Sequence, residues 1–96
     1  MLRAAVIPAA LVVGIACAPL AQADDQGFMN YMASHGYSSP TGMNGVNYLS
    51  QARQECSALR AGKSEKWLIG QLESELSIAE AGLVVTGAHQ YLCPDA

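Results

Sequence analysis

The stretch that decides the fold covers residues 56–94 and reads CSALRAGKSEKWLIGQLESELSIAEAGLVVTGAHQYLCP. Cys56 stands at its start and Cys93 near its end, with two helix-like segments between them. The third cysteine, Cys17, lies near the start of the chain in a segment that export would remove. The two that remain are an even number, which in a small exported domain is typical of a disulfide, and a core of this size needs such a crosslink. We therefore expect Cys56 and Cys93 to pair; the alternative is two buried free thiols.

The chain begins with the features of a secretory leader. Arg3 supplies a positive charge, an apolar run extends from Ala4 to Ala16, and Ala21-Gln22-Ala23 has the small-x-small pattern of a cleavage site. We expect cleavage between Ala23 and Asp24, which makes residues 1–23 a signal peptide and the mature protein secreted or extracytoplasmic.

Two alternatives for the leader fit the sequence less well. An uncleaved anchor would need an apolar run of ~20 residues, and this run is shorter. Lipidation at Cys17 would need an aliphatic residue three positions earlier, where Gly14 stands, and the bulky Ile15 also departs from that pattern. We therefore do not expect a lipoprotein.

The mature chain has 73 residues, enough for one small domain. Because Arg3 is removed, four basic residues remain against eight acidic ones, and the net charge becomes −4. An acidic domain argues against nucleic acid, whose affinity depends on Lys and Arg at phosphates. No basic amphipathic face is evident, so neither anionic-lipid binding nor stable membrane insertion after cleavage is expected.

Residues 24–45 are predicted to be an N-terminal helix and a linker. The helix extends from Asp24 to His35, capped by Asp24 or Asp25, and the linker of Gly36–Gly45 is rich in Gly, Ser, Pro and Asn. Residues 46–96 are predicted to be a disulfide-closed helical domain.

Three helices are predicted in that second part. The first covers Val46–Ala61 and has one apolar stripe, flanked by Tyr48 and Arg53. The residues of this stripe are Val46, Leu49, Ala52, Cys56 and Leu59. The next begins at Ser64, and Trp67, Leu68, Leu72 and Leu76 form its apolar side. Ser77 to Glu80 form a capping box that opens a last helix to about Leu92, with the stripe Ile78, Ala81, Val85, Ala88 and Leu92.

Particular residues in these helices leave alternatives open. Trp67 is interpreted as a core or rim anchor rather than a ligand platform. Val84-Val85-Thr86 is also compatible with a strand. Gly82 and Gly87 weaken the last helix or permit another helix to approach closely. The predicted fold is all-α: a small array of three to four short helices stapled by one disulfide.

The chain resembles the mycobacterial "domain of unknown function 732" family of small secreted helical proteins. The resemblance is carried by Cys56-Ser57-Ala58-Leu59-Arg60-Ala61-Gly62, by the terminal Tyr91-Leu92-Cys93-Pro94, and by helical positions between them, and it covers about Val46 to Pro94. It implies an exported protein with an internal disulfide. It implies no activity.

Catalytic and metal chemistry find little support. His35 and His89 each fall in the last turn of a predicted helix, where a capping or surface role explains them. Neither has a nucleophile signature beside it, and no set of metal ligands accompanies His89 and Cys93. Glu73, Glu75 and Glu80 are interpreted as a solvated face. No catalytic, metal or cofactor site is predicted, and the protein is not expected to be an enzyme.

Two function classes remain: a secreted interaction module of the cell envelope or extracellular space, or a small carrier of apolar ligands or lipids. For the module, the partner would be an envelope or extracellular protein contacted by Phe28, Tyr31 and Met32, because aromatic and Met side chains are concentrated in the Phe28–Met43 segment. The alternative is that these side chains cover the core. The sequence does not indicate an oligomeric state.

Overall fold

The computed structural model describes residues 23–96, and that part of the chain is helical. Its helices are α1 (Asp25–Ser34), α2 (Tyr48–Arg60), α3 (Glu65–Leu72) and α4 (Ile78–Gly87), and α4 continues into a π-helical turn, Ala88–Leu92. Within the described residues the only β pairing is one isolated bridge, Thr41 to Asn47, so the predicted all-α fold is confirmed. The strand alternative for Val84-Val85-Thr86 is wrong, because these residues lie inside α4.

The helices begin and end where local capping chemistry places them. Asp24 caps α1 by accepting from the Gly27 N–H at 2.7 Å, and Ser64 caps α3. Ser77 and Glu80 form the predicted capping box of α4, with reciprocal hydrogen bonds of 3.1 and 3.2 Å. Each cap satisfies N–H groups that have no partner within the helix.

The second helix begins two residues later than the sequence predicted, at Tyr48 instead of Val46. The reason is Asn47, whose side chain accepts from the Ser50 N–H at 2.8 Å and caps the helix there. At the other end, Gly62 has a φ of +98°, a left-handed conformation that glycine adopts without strain and that terminates α2.

A single core joins all four helices. α1 contributes two side chains with no exposed surface, Phe28 and Met32, so residues 24–34 are part of the core and not an appendage. The other buried apolar residues come from α2, α3, α4 and the segments that follow them: Tyr48, Ala52, Cys56, Leu59, Leu68, Leu72, Leu76, Ala81, Val84, Val85, Ala88, Leu92 and Cys93.

The expected disulfide links Cys56 of α2 to Cys93, just past the π-helical turn. The two sulfurs are 2.10 Å apart and the two Cα atoms 5.8 Å apart. Both residues are buried in the core cluster. The bond therefore fastens the last turn of the chain to the middle of α2.

The predicted linker is held against the helices by backbone hydrogen bonds. Gly42 N–H donates to the Val46 carbonyl at 2.9 Å, and Tyr48 N–H donates to the Pro40 carbonyl at 3.0 Å. The Asn44 side-chain amide donates to the carbonyl of Glu75 at 2.8 Å, which ties the loop to the turn between α3 and α4. The loop consequently covers one end of the helical array.

Two residues have the opposite burial to that predicted. Tyr48, predicted to flank the stripe of α2, is only 1% exposed. Ile78, predicted in the buried stripe of α4, is 72% exposed; it occupies the first position of α4, and helical side chains point toward the helix N-terminus, so its side chain extends beyond the helix start. Trp67, interpreted as a core or rim anchor, is 49% exposed and lies outside the core cluster, which excludes the core position.

The two glycines of α4 have different surroundings. A Cβ at Gly87 would lie 2.9 Å from Tyr31 Cδ2 and 3.0 Å from Phe28 Cε1, so the close helix approach holds there. A Cβ at Gly82 would meet no atom within 4 Å. Gly87 is therefore a packing requirement, whereas Gly82 borders open space.

No helix among residues 23–96 has both the length and the apolar character needed to cross a bilayer.

Candidate functional site

The three side chains predicted to contact a partner do not form a surface. Phe28 and Met32 have no exposed surface and lie in the core, so a partner cannot reach them in the folded protein. The physical reason is that α1 packs this face against α4 and the π-helical turn. Tyr31 is half-buried at the edge of the same face, and it is the one of the three that lines a groove.

This groove, of about 460 Å³, runs between α1 and α4 and opens to solvent. We call it the Ile78 groove. One wall carries aromatic side chains from α1 and the loop after it: Tyr31, His35 and Tyr37. The other wall is formed by residues of α4: Ile78, Ala79, Gly82, Leu83 and Thr86. No Asp, Glu, Lys or Arg is among these lining residues.

The aromatic wall is held by ring contacts. The Tyr31 ring lies 4.7 Å from the His35 ring and 5.5 Å from the Tyr91 ring, measured between centroids. The Tyr37 ring meets the buried Tyr48 ring edge-on at 6.2 Å. Burial raises the pKa of Tyr31, and electrostatic repulsion from Tyr91 and Glu65 raises it further, so the phenol is neutral at physiological pH. The wall is thus an aromatic surface with hydroxyl groups at its edges.

The opposite wall is fixed by the capping box at the start of α4. Ile78 follows Ser77 directly, so the two reciprocal hydrogen bonds of that box hold the backbone from which Ile78 projects. One turn later Gly82 leaves the groove floor without a side chain. A large aliphatic side chain therefore stands in solvent on a well-ordered helix start, beside an open floor.

A buried carboxylate lies on α4 close to this wall. Glu80, predicted to be part of a solvated face, is only 5% exposed, so that prediction is wrong. Its Oε2 accepts hydrogen bonds from the Tyr48 hydroxyl and, at 3.3 Å, from the Met43 N–H, while Oε1 accepts from Ser77 N–H at 3.2 Å. Glu80 therefore joins α2, the loop and α4 at one point.

The hydrogen bonds to Glu80 determine its charge state. Burial raises its pKa, but the bonds from Tyr48, Ser77 and Met43 lower it by more, and the net result is a pKa below the usual value. The pKa of Tyr48 is correspondingly raised, by burial and by its bond to Glu80. The pair is thus an ionised carboxylate and a neutral phenol that donates to it. A Cβ at the adjacent Gly42 would lie 2.6 Å from Tyr48 Cε1, so only glycine allows the loop to close over the pair.

A second buried carboxylate, Glu55 on α2, accepts fewer of the described hydrogen bonds than Glu80 does. It is 6% exposed, and Gln51 of the same helix donates to it at 2.6 Å. Burial raises its pKa by more than the Gln51 hydrogen bond lowers it. Residue patterning does not reveal this burial, because Glu55 follows a polar pair on α2, Arg53 and Gln54, which are both exposed.

The other notable surface surrounds Trp67 at the start of α3. The Lys63 ammonium lies 4.9 Å from the centroid of the indole, within range of a cation–π contact. Lys66 is exposed beside it, and Ser64, Gly70 and Gln71 complete an open groove of about 470 Å³. We call this surface the Trp67 patch. Between residues 23 and 96, Arg53 pairs with Asp25 and Arg60 with Asp95, whereas Lys63 and Lys66 form no ion pair.

His89 and His35 have separate surroundings. His89 contacts Glu65 through Nδ1 at 2.6 Å and the carbonyl oxygen of Ala96 through Nε2 at 2.9 Å. These two partners, Ala96 first, raise its pKa, and the ring links the start of α3 to the π-helical turn. His35 is exposed at the end of α1. In the part of the chain that is described, no three His, Cys, Asp or Glu side chains are grouped as metal ligands.

The expected leader lies almost entirely outside the described residues, as does Cys17. At the expected cleavage site, Ala23 is exposed. Asp24 caps α1 with its side chain and donates its N–H to the carbonyl of Tyr91 at 2.8 Å. Among the described residues, contacts with the helical domain therefore include the residue directly after the expected cut.

The chain belongs to the family described as protein of unknown function (DUF732), whose model matches residues 24–95. The match extends over α1 and the loop, beyond the Val46–Pro94 range of the sequence resemblance. Its boundaries coincide with the helical domain and leave residues 1–23 outside. No curated protein and no solved structure matches the chain.

Proposed function

We propose that this DUF732 protein is an exported, non-enzymatic interaction module and that the Ile78 groove is its contact face for a protein of the cell envelope or extracellular space. The observation that carries the proposal is the 72% exposure of Ile78 within that groove. A single exposed aliphatic residue is ordinary on a protein surface. Here it stands beside an aromatic wall and an empty floor, which together form a concave apolar site.

The groove suits protein binding because it is preorganised. The capping box fixes Ile78, and the Glu80 network fixes the loop that carries Tyr37 toward α4. Binding to ordered side chains loses less conformational entropy than binding to mobile ones. The lining contains no Asp, Glu, Lys or Arg whose hydration would be lost on binding, and the tyrosine hydroxyl groups supply polar contacts at the rim.

Export is supported by two features of the domain. A buried disulfide is typical of an oxidising compartment outside the cytoplasm. In addition, cleavage after Ala23 would leave Asp24 able to cap α1 and to donate from its new amino group to Tyr91. Removing the leader is thus compatible with every contact described for the start of the fold.

Carriage of an apolar ligand or lipid is a second candidate, because about 460 Å³ lies within the range of small-ligand sites. The groove is open along its length, however, so an acyl chain placed in it would keep much of its surface in water. The described core contains large side chains that are almost fully buried, among them Phe28, Met32 and Tyr48. The geometry therefore favours a protein partner.

Photo-crosslinking in the native cell tests the proposal. A photoreactive amino acid replaces Ile78 in the full-length protein, and Ser57, exposed on α2, is replaced as the matched control. We expect an exported protein of mature mass that forms a defined adduct from position 78 and none from position 57. Equal labelling from both positions, or no adduct from position 78, would refute the assignment of the contact face.

A further inference from the structure

Ile78 and Trp67 lie at opposite ends of one helical hairpin. α3 packs beside α4, and Glu65 at the start of α3 contacts His89 just past the end of α4, so the two helices are antiparallel. Trp67 is in the first turn of α3 and Ile78 in the first turn of α4. Trp67 lines a separate groove and is not among the residues that line the Ile78 groove. In the folded molecule Trp67 therefore does not occupy the Ile78 groove of its own chain.

The two surfaces are complementary in shape. Trp67 is half exposed and presents a large flat apolar side chain, and the groove of about 460 Å³ has room for an indole ring. The aromatic wall of Tyr31 and Tyr37 offers the offset and edge-on contacts that aromatic rings prefer. Gly82 leaves the floor open for the ring to enter.

The two surfaces are also complementary in charge. Lys63 and Lys66 flank Trp67 and form no ion pair among the described residues. On the other side, Glu73 and Glu75 are exposed in the turn that leads into Ile78. An exposed basic pair beside Trp67 and an exposed acidic pair in the turn before Ile78 thus carry the opposite charges that steer association and fix orientation.

We propose that the occupant of the Ile78 groove is Trp67 of a second copy of this chain, in a head-to-tail contact. The inference rests on the proposed function, since it names the partner of that same groove. Because the two surfaces differ, each molecule can donate its Trp67 patch to one neighbour and its groove to another. The mature protein then forms short chains or a ring, and not only a two-fold dimer.

Analytical sedimentation measures this association. The purified mature protein, with its disulfide oxidised, is studied at concentrations from about 10 µM to about 1 mM. Trp67 is the only tryptophan, so a blue shift of its fluorescence as concentration rises reports burial of the patch directly. We expect Trp67→Ala and Gly82→Leu each to raise Kd at least about tenfold. Ser57→Ala, on an exposed part of α2, is the control and should not change Kd. Melting curves confirm that each variant folds.

Mixing the two variants gives the sharper result. Trp67→Ala retains an intact groove and Gly82→Leu retains an intact Trp67, so the mixture should form a one-to-one complex that grows no further. The charge variants Lys63→Glu/Lys66→Glu and Glu73→Lys/Glu75→Lys should each associate weakly alone and bind each other when mixed. These pairings are specific to a head-to-tail contact.

The inference is overturned if the parent protein is monomeric at about 1 mM, or if it self-associates equally well in both single variants. It is also overturned if neither mixture forms a complex. Its failure is distinguishable from failure of the proposed function. A monomeric protein that still gives an adduct with a different protein from position 78 would refute self-association and leave the contact face in place.

Discussion

The phenol of Tyr48 donates its hydrogen bond to the buried carboxylate of Glu80, and this contact joins the first turn of α2 to the first turn of α4 across 32 residues of sequence. The Met43 N–H donates to the same carboxylate at 3.3 Å, so the loop between α1 and α2 closes over the pair. Buried charges are retained where several donors satisfy them. This cluster is therefore what holds the loop, Tyr37 and the start of α4 in the positions that form the Ile78 groove.

Replacing Glu80 with Gln should destabilise the protein at pH 7 by about 1–3 kcal/mol, because the variant loses charged hydrogen bonds and leaves buried donors poorly matched. The pKa of Glu80 is lowered in the folded state, so its contribution is present above the unfolded pKa of ~4.3 and is lost as the pH falls through the folded pKa. Urea unfolding of parent and variant at pH 7 and pH 3 should show the difference shrink at pH 3.

Tyr48→Phe tests the same hydrogen bond from its other side, because it removes the hydroxyl donor and keeps the aromatic ring. We expect a loss of about 1–2 kcal/mol alone and much less in the Glu80→Gln background. Additive losses in the double variant would mean that the two residues act independently, contrary to the hydrogen bond described.

Replacing Glu55 with Gln should have the opposite effect at pH 7. Burial raises the pKa of Glu55, so the folded state disfavours its charged form, and stability is lost as the pH rises from the unfolded pKa through the folded pKa. The amide of the Glu55→Gln variant keeps the side-chain bond to Gln51 without a buried charge. We expect a gain of the order of 1 kcal/mol at pH 7 that disappears at pH 3. A loss of stability at pH 7 would show that Glu55 has a stabilising partner.

Gly82→Ala and Gly87→Ala, both on α4, should change stability in opposite directions. At position 82 the new methyl group meets no atom within 4 Å, so the higher helix propensity of alanine should stabilise the protein by about 1 kcal/mol. At position 87 it would lie 2.9 Å from Tyr31 Cδ2, and the forced shift of α1 should cost about 1–3 kcal/mol. Thermal melting measures both; equal shifts would contradict the packing of α1 on α4.

Reducing the disulfide should lower the free energy of unfolding by about 3–4 kcal/mol in the chain-entropy model, because Cys56 and Cys93 close a loop with a sequence separation of 37. Urea unfolding with and without a reductant measures the loss. The double variant Cys56→Ala/Cys93→Ala should resemble the reduced protein and should not respond to reductant. A parent protein insensitive to reductant would mean that the bond contributes nothing.

The helices could be predicted because their signals are local. Asp24, Ser64 and the Ser77–Glu80 box each mark a helix start within a few residues of sequence, and Gly62 marks an end. The pairing of Cys56 with Cys93 could be predicted because only these two cysteines remain once the expected leader is removed. These features depend on backbone hydrogen bonds and chain connectivity, and both are encoded over short distances.

The groove could not be predicted because it depends on which elements meet. Helical spacing placed Ile78 in a buried stripe, but in the first turn of α4 the buried residues are Glu80 and Ala81, whereas Ile78 is exposed. The capping box correctly placed the Glu80 carboxylate beside Ser77, yet nothing local indicated that Tyr48 and the Met43 backbone would enclose it. Trp67 is likewise half exposed, while the next residue of α3, Leu68, is the one that enters the core.

The central claim is that Ile78 serves binding and not folding, and one variant tests it most directly. A photoreactive residue at Ala79, an exposed position lining the groove, is used in the native cell with Ile78 intact or changed to Glu. The claim predicts that Ile78→Glu melts within about 2 °C of the parent, because the position is exposed, and that its adduct yield falls at least about tenfold. An undiminished adduct from a folded Ile78→Glu protein would contradict it.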